Sequence, residues 1–333
     1  MDRRLYSVKV FVLYWRMLRY RVAVMIVLFA LIGAAWHGGL TELGWPVISM
    51  VLALASSYVC ATSVNDIADR EIDQINHPKD EGRPLVTGTA EVRDLWLLFG
   101  VAGALTIGLP LTVGPLPTGI MALSVLIGVL YSLPPVELSH RTFLAPLTLA
   151  VAYVGVPYWA GVVAVGENLG ASDLLPMTAL YLLFAGRIVL KDFRDREGDA
   201  AYGKPTFLLR HGKRATCLLS LGAVCAGDAL LVMALADRGW LAAILQLYVV
   251  GVAFMLLRLY QAEDRREEQI SIGVGARMGN GLLTTLLGTL VLENAGADTS
   301  VQVTFALALA AVYAVLFTSF LRDPDATAIG YKG

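Results

Sequence analysis

The chain has 333 residues, 57% of them hydrophobic and only 16% charged, which is too apolar for a soluble globular protein of this size. Formal net charge is −1, from 26 basic and 27 acidic side chains, so bulk charge points to no nucleic-acid partner and only its distribution is informative. Cys60, Cys217 and Cys225 sit in apolar stretches without paired spacing and read as inert thiols, and His37, His77, His140 and His211 lack the spacing of a zinc or iron site.

Arg3, Arg4, Lys9, Arg16, Arg19 and Arg21 precede the first apolar run. A cleavable leader has a shorter basic region, so this run reads as a retained first span. A spanning helix needs about 20 mostly apolar residues. Ten segments qualify in chain order: Val22–Leu40, Trp45–Val64, Leu95–Val113, Thr118–Leu133, Phe143–Val165, Leu174–Leu190, Ala215–Ala236, Trp240–Leu257, the shorter Gly279–Leu292, and Val301–Phe320. If they alternate, every Lys and Arg except Arg238 falls on one side, counting Arg187 at the end of the sixth span. That asymmetry places the long polar loops, and the function, on the cytoplasmic side. No linker divides the sequence, so one all-α membrane domain is expected over residues 1–333, a bundle of nine or ten helices around a central cavity. The charge run Glu263–Glu268 reads as a solvated loop.

One internal repeat is visible. Asp66-Ile-Ala-Asp69-Arg70-Glu71-Ile-Asp73 and Asp192-Phe-Arg-Asp195-Arg196-Glu197-Gly-Asp199 share D-x-x-D-R-E-x-D, 126 residues apart, each after an even-numbered span. The simplest account is a four-helix unit used twice, its copies facing each other. On a helix, carboxylates at i, i+3 and i+7 project from one face. A single such cluster is compatible with a solvated helix end neutralised by Arg70 or Arg196; the same spacing twice is not required by solubility. A dense carboxylate face suits Mg²⁺, which takes a few protein oxygens and completes its shell with water and phosphate. Asn65 adds an amide, and Lys79, Arg83, Lys191, Arg194 and Lys204 flank the motifs within reach of phosphate oxygens. A metal–diphosphate site beside an apolar cavity implies a substrate with a long hydrocarbon tail. Loss of diphosphate leaves an allylic cation, which aromatic faces stabilise; Tyr131, Tyr153, Tyr158 and Trp159 lie near the fourth and fifth spans.

At these residues the sequence resembles the UbiA superfamily of intramembrane prenyltransferases. The first signature reads Asn65-Asp66-Ile-Ala-Asp69-Arg-Glu-Ile-Asp73, continuing through Asn76 and Pro78 to Arg83-Pro84-Leu-Val-Thr-Gly88. The second reads Lys191-Asp192-Phe-Arg-Asp195-Arg-Glu-Gly-Asp199, continuing through Gly203 to Gly212, and Tyr131-Ser132-Leu-Pro134-Pro135 lies where the family has a tyrosine–serine–proline segment. The motif forms look most like the branch that includes homogentisate prenyltransferases, chlorophyll synthase and archaeal ether-lipid prenyltransferases. The resemblance implies Mg²⁺ as cofactor, a prenyl diphosphate donor and an aromatic or lipid acceptor. It implies Asn65, Asp66, Asp69, Asp73, Asp192, Asp195 and Asp199 as metal ligands. Catalysis falls to Asp66, Asp69, Asp192, Asp195 and Lys191, and diphosphate binding to Asn65, Arg70, Lys79, Arg83, Arg141, Arg194 and Lys204. Arg141 replaces a basic residue that the family carries after the tyrosine segment, where this chain reads Val136-Glu137-Leu138-Ser139-His140. Cyclisation of the cation on its own chain uses the same first step, and a phosphoribosyl donor fits a similar site. A cation-coupled transporter is disfavoured because the aspartates lie at helix ends rather than mid-span. The D-G-x-x-A-R signature of CDP-alcohol transferases is absent.

Overall fold

A computed structural model describes residues 3–323, so the expected domain extends past the described residues at both ends. Among these residues every regular element is helical and none is a strand. The helices are α1 (Arg3–Met17), α2 (Tyr20–Trp36), α3 (Trp45–Ala68), α4 (Arg70–Asn76), α5 (Val92–Leu111), α6 (Pro115–Ser132), α7 (Leu144–Ala150), α8 (Val156–Ala164), α9 (Ala171–Ile188), α10 (Asp192–Ala201), α11 (Phe207–Ala234), α12 (Gly239–Gln261), α13 (Arg265–Asn294) and α14 (Thr299–Arg322). Eight stretches are long and apolar enough to cross a membrane, or nine when α1 and α2, bent by 66° at Arg19, count as one. The ninth expected span, drawn as the short segment Gly279–Leu292, is the 30-residue α13, and the tenth is α14. The polar positions of α13 lower its hydropathy, but its length and burial place it inside the bundle.

The repeat expected from the paired motifs is visible in the packing. α3 lies along α5 and α6, α9 lies along α11, and the leading helices of the two copies, α2 and α8, pack on each other. Small residues let that last pair approach backbone to backbone: a Cβ on Gly33 would stand 2.4 Å from the Tyr158 carbonyl oxygen, and one on Gly161 1.7 Å from that of Ala30. Local chemistry sets the helix starts. Pro46 lies in the first turn of α3, where its missing N–H costs nothing. Glu91 and Asp94 form a capping box on α5, Thr206 caps α11 by accepting from the Leu209 N–H, and Asp264 caps α13 through the Glu267 N–H.

The first motif straddles a helix break, whereas Asp192, Asp195 and Asp199 of the second share one uninterrupted helix, α10. In the first copy α3 ends at Ala68, Asp69 takes a non-helical conformation, and α4 restarts at Arg70. In the second a tight turn over Val189–Lys191 leads into α10. α4 and α10 then pack together, and Gly198 makes this possible. Its N–H donates to Asn76 Oδ1 at 2.7 Å, and a Cβ there would stand 2.5 Å from the Ile72 carbonyl oxygen.

Candidate active site

The two motifs meet at one end of a cavity of about 720 Å³ that runs into the bundle. Asn65, Asp69, Asp73, Asp192, Asp195 and Asp199 line it. Two contacts tie the copies together: Lys204 Nζ lies 3.1 Å from Asp69 Oδ2 and 3.9 Å from Asp199 Oδ1, and His77 Nε2 lies 2.9 Å from Asp195 Oδ1. Asn65 donates its amide N–H to Asp69 Oδ2 at 2.8 Å, and Arg194 Nε sits 3.0 Å from Asp195 Oδ1. Arg83 pairs with Asp73 and approaches Asp66 at 3.5 Å. Burial, and then the neighbouring Arg19 charge, pull Arg83 down to about 10, so it stays protonated at neutral pH.

Asp66 departs from expectation. It is 2% exposed and does not line the cavity, because a single Arg19 guanidinium nitrogen holds its two oxygens at 2.7 and 2.8 Å. This contact ties the end of α3 to the start of α2. Among the expected basic residues, Lys191, Arg83, Arg141, Arg194 and Lys204 line the cavity, whereas Arg70 and Lys79 are exposed and lie outside its lining.

Below the carboxylates the cavity wall turns aromatic. Lys191 Nζ donates to the Tyr131 hydroxyl at 3.1 Å, and Tyr153 sits between Tyr58 and Phe184, with ring centroids 6.0 and 5.4 Å away. A π-helical turn over Val151–Gly155 carries Tyr153; such bulges recur at functional sites because they rotate one side chain out of register. Tyr158 is not brought to the cavity. It is fully buried, its hydroxyl donating to Asp173 Oδ1 at 2.9 Å, the oxygen that His37 Nε2 also meets at 2.8 Å. Trp159 packs into the core and is likewise absent from the lining.

Sequence reasoning missed Arg19, His77, Tyr58 and Phe184 as parts of the site. Arg19 is hidden among the basic residues ahead of the first span. Tyr58 had a legible signal, lying two helical turns before Asn65 and hence on the same face of α3.

The donor set suits Mg²⁺. All the candidate ligands are hard oxygens, and among the described residues no group of three His, Cys, Asp or Glu side chains is placed to hold a metal ion by itself. Mg²⁺ is usually held by one or two carboxylates, the rest of its shell coming from water and phosphate oxygens.

Residues 24–281 match the UbiA prenyltransferase family. A 2-acylphloroglucinol 4-prenyltransferase of Humulus lupulus is 30% identical over 190 residues, 54% of this chain and 45% of that protein. Chlorophyll synthase of Arabidopsis thaliana is 28% identical over 205 residues, 58% of this chain and 51% of that one. The chain spans about half the length of these curated relatives. Among solved structures, one of digeranylgeranylglyceryl phosphate synthase superposes with a TM-score of 0.64 at 17% identity, over 85% of this chain and 99% of that one. A UbiA homolog from Archaeoglobus fulgidus bound to GPP and Mg²⁺ gives 0.56 at 18% identity, over 90% and 99%. At such identities the structural likeness establishes the fold, and the sequence match covers both aspartate motifs: the chain belongs to the UbiA prenyltransferase family.

Proposed function

We propose that this chain is a membrane prenyltransferase that moves a prenyl group from an isoprenyl diphosphate to an aromatic or lipid acceptor in the cavity. The observation that carries the reading is the meeting of two carboxylate motifs and four cations, Arg83, Lys191, Arg194 and Lys204, at the mouth of an aromatic-walled cavity. The A. fulgidus homolog bound to GPP and Mg²⁺ supports the donor and the metal, and the named activities of the plant relatives support transfer.

In this reading Asn65, Asp69, Asp73, Asp192, Asp195 and Asp199 hold Mg²⁺ together with the diphosphate. When bound, the metal neutralises charge on the departing diphosphate. Lys204, Arg83 and Arg194 hold the carboxylates in place and meet phosphate oxygens, and Lys191 is aimed by the Tyr131 hydroxyl. Cleavage of the C1–O bond sends its electron pair to the diphosphate and leaves an allylic cation. The faces of Tyr131, Tyr58 and Tyr153 stabilise that cation until the acceptor attacks C1, and the C–H or O–H bond at the attacked atom then breaks, its proton passing to the departed diphosphate. The basic residues gathered at the motif end support a cytoplasmic placement of this mouth.

The test supplies purified protein with prenyl diphosphates of several lengths, MgCl₂ and a panel of phenolic and lipid acceptors. The expected outcome is Mg²⁺-dependent release of diphosphate with a prenylated product of matching mass. Terpene hydrocarbon or alcohol formed without acceptor decides instead for cyclisation, and absence of diphosphate release overturns the reading.

A further inference from the structure

The charge run Glu263–Glu268 is not the solvated loop that its composition suggests. Asp264 caps α13, and Arg265 to Glu268 form the first turn of that helix, which lies against α10. Arg265 pairs with Glu197, and its Nη2 donates to the Arg194 carbonyl at 3.3 Å. Glu268 is 5% exposed and takes two cations: Arg196 Nη2 of α10 lies 3.4 Å from its Oε2, and Lys213 Nζ of α11 lies 3.1 Å from its Oε1. A carboxylate so far from water is stable only while such partners hold it.

Arg196 and Glu197 belong to the second aspartate motif, and their counterparts in the first are placed differently. Arg70 and Glu71 are exposed, and Glu71 meets the hydroxyl of the equally exposed Tyr202. The shared R-E pair is thus turned to solvent in one copy and engaged by α13 in the other.

The second copy has a reason to be held. The tight turn over Val189–Lys191 separates α10 from α9, so contacts made by α10 itself set its rotation. At about 100° per residue, Asp192, Asp195 and Asp199 fall within about 60° of one another, while Glu197 lies about 140–160° from them on the back of the helix. Arg196 lies on the flank between. Ion pairs at the flank and the back oppose rotation about the helix axis, the motion that would sweep the three carboxylates away from Asp69 and Asp73. Beyond the clasped turn α13 runs inward as cavity wall through Ile272, Gly275, Ala276 and Gly279, so the same rod aligns the carboxylates with that wall.

We infer that the first turn of α13 is a clasp that sets the rotation of α10, and that Glu268 and Arg265 are positioning residues for the metal–diphosphate site. They act through Arg196 and Glu197 on Asp192, Asp195 and Asp199. This inference rests on the reading that those aspartates hold Mg²⁺ and diphosphate, and it adds what keeps them aimed.

The experiment titrates Mn²⁺, a paramagnetic stand-in for Mg²⁺, into the full chain with inorganic pyrophosphate present, reading bound metal from the loss of the free-ion resonance. Thermal unfolding of each variant is measured alongside. Glu268→Gln is expected to weaken Mn²⁺ binding about tenfold, the scale for residues that orient metal ligands from behind. Glu197→Arg and Arg265→Glu each set like charges together and weaken binding about fivefold; combined, they re-form the pair in reverse and return affinity to within about twofold of the unaltered chain. That pair is about half exposed, so these changes leave the unfolding midpoint in place, which a merely structural role would not combine with altered affinity. Glu71→Gln, the matching change in the first copy, alters affinity by about twofold or less. Unchanged affinity in both single charge reversals overturns the inference, as does a combined variant no better than the single ones, or an unaltered chain that binds no Mn²⁺. If Glu268→Gln does not fold, the exposed pair decides. Mg²⁺-dependent diphosphate release from a prenyl diphosphate, followed separately, shows whether the prenyl-transfer reading itself stands.

Discussion

A single guanidinium nitrogen of Arg19 meets both carboxylate oxygens of Asp66, at 2.7 and 2.8 Å. Arg19 does so from a left-handed backbone, φ 40° and ψ 63°, at the 66° bend between α1 and α2. A non-glycine residue in that region is strained, and the strain is tolerated where the side chain is needed. The pair joins the entry of the first span to the end of the second. Arg19→Gln leaves a buried carboxylate with Arg83 at 3.5 Å as its remaining cation. The expected loss of stability is about 3 kcal/mol, the usual cost of removing one partner of a buried pair. Thermal unfolding in detergent checks it, and an unchanged midpoint is evidence that the pair does not form. Arg19→Lys recovers part of the loss.

Metal removal separates activity from fold. Asp69, Asp73 and Asp195 each have a basic partner within the chain, so chelation does not leave them as buried unpaired charges. EDTA is therefore expected to abolish diphosphate release while leaving the far-UV circular dichroism unchanged. Asp69→Asn and Asp195→Asn each lower release by about 100-fold or more, the scale for losing charge stabilisation at a reacting centre. A raised Mg²⁺ concentration restores part of the rate if the lost function is metal binding; loss of helicity on chelation sinks this account.

The fold was legible because its signals are long and repetitive. Spans such as Trp45–Val64 and Leu174–Leu190 appear as α3 and α9 within a few residues, and the repeated D-x-x-D-R-E-x-D announced a duplicated unit before any contact was known. The ninth span was read short because Arg277 and Asn280 interrupt its hydropathy. Those residues face a cavity, and hydropathy cannot tell a cavity-facing position from a lipid-facing one. The site was legible where a motif carries it: Asp69, Asp195 and Lys204 converge. It was illegible where it depends on which way one helix turns. Tyr153 and Tyr158 lie five residues apart and looked equivalent, yet on an α-helix that spacing points them about 140° apart, so Tyr153 lines the cavity while Tyr158 binds Asp173.

Tyr153 gives the aromatic wall a test. Tyr153→Phe keeps the ring between Tyr58 and Phe184, so kcat is expected to stay within about threefold. Tyr153→Leu keeps the apolar volume but removes the ring face. A cation–ring contact worth about 1–2 kcal/mol predicts a fall in kcat of about 5- to 30-fold with little change in the donor KM. Equal effects of Phe and Leu show that the wall acts by packing alone. Tyr158→Phe provides the contrast, since its hydroxyl serves Asp173, and its cost falls on stability rather than on kcat.

Gly198 tests how closely the two motifs must sit. Its added methyl group would lie 2.5 Å from the Ile72 carbonyl oxygen and 2.7 Å from Asn76 Nδ2, a contact that backbone has to relieve. Gly198→Ala thus pushes α10 from α4, and with it Asp195 and Asp199 from Asp69 and Asp73. Overpacking of this kind costs about 1–3 kcal/mol. A shift of about 1 Å also degrades a site that holds two charged partners at once, so diphosphate release is expected to fall about 100-fold. Gly108→Ala is the comparison: it lies within α5 with open space around the new methyl group, and there alanine gains the helix preference that glycine lacks, about 0.5–1 kcal/mol. The two substitutions are chemically identical and differ only in their surroundings. If Gly198→Ala proves as harmless as Gly108→Ala, the short helices are not in contact as described, and the ties from Lys204 to Asp69 and from His77 to Asp195 lose their geometric basis.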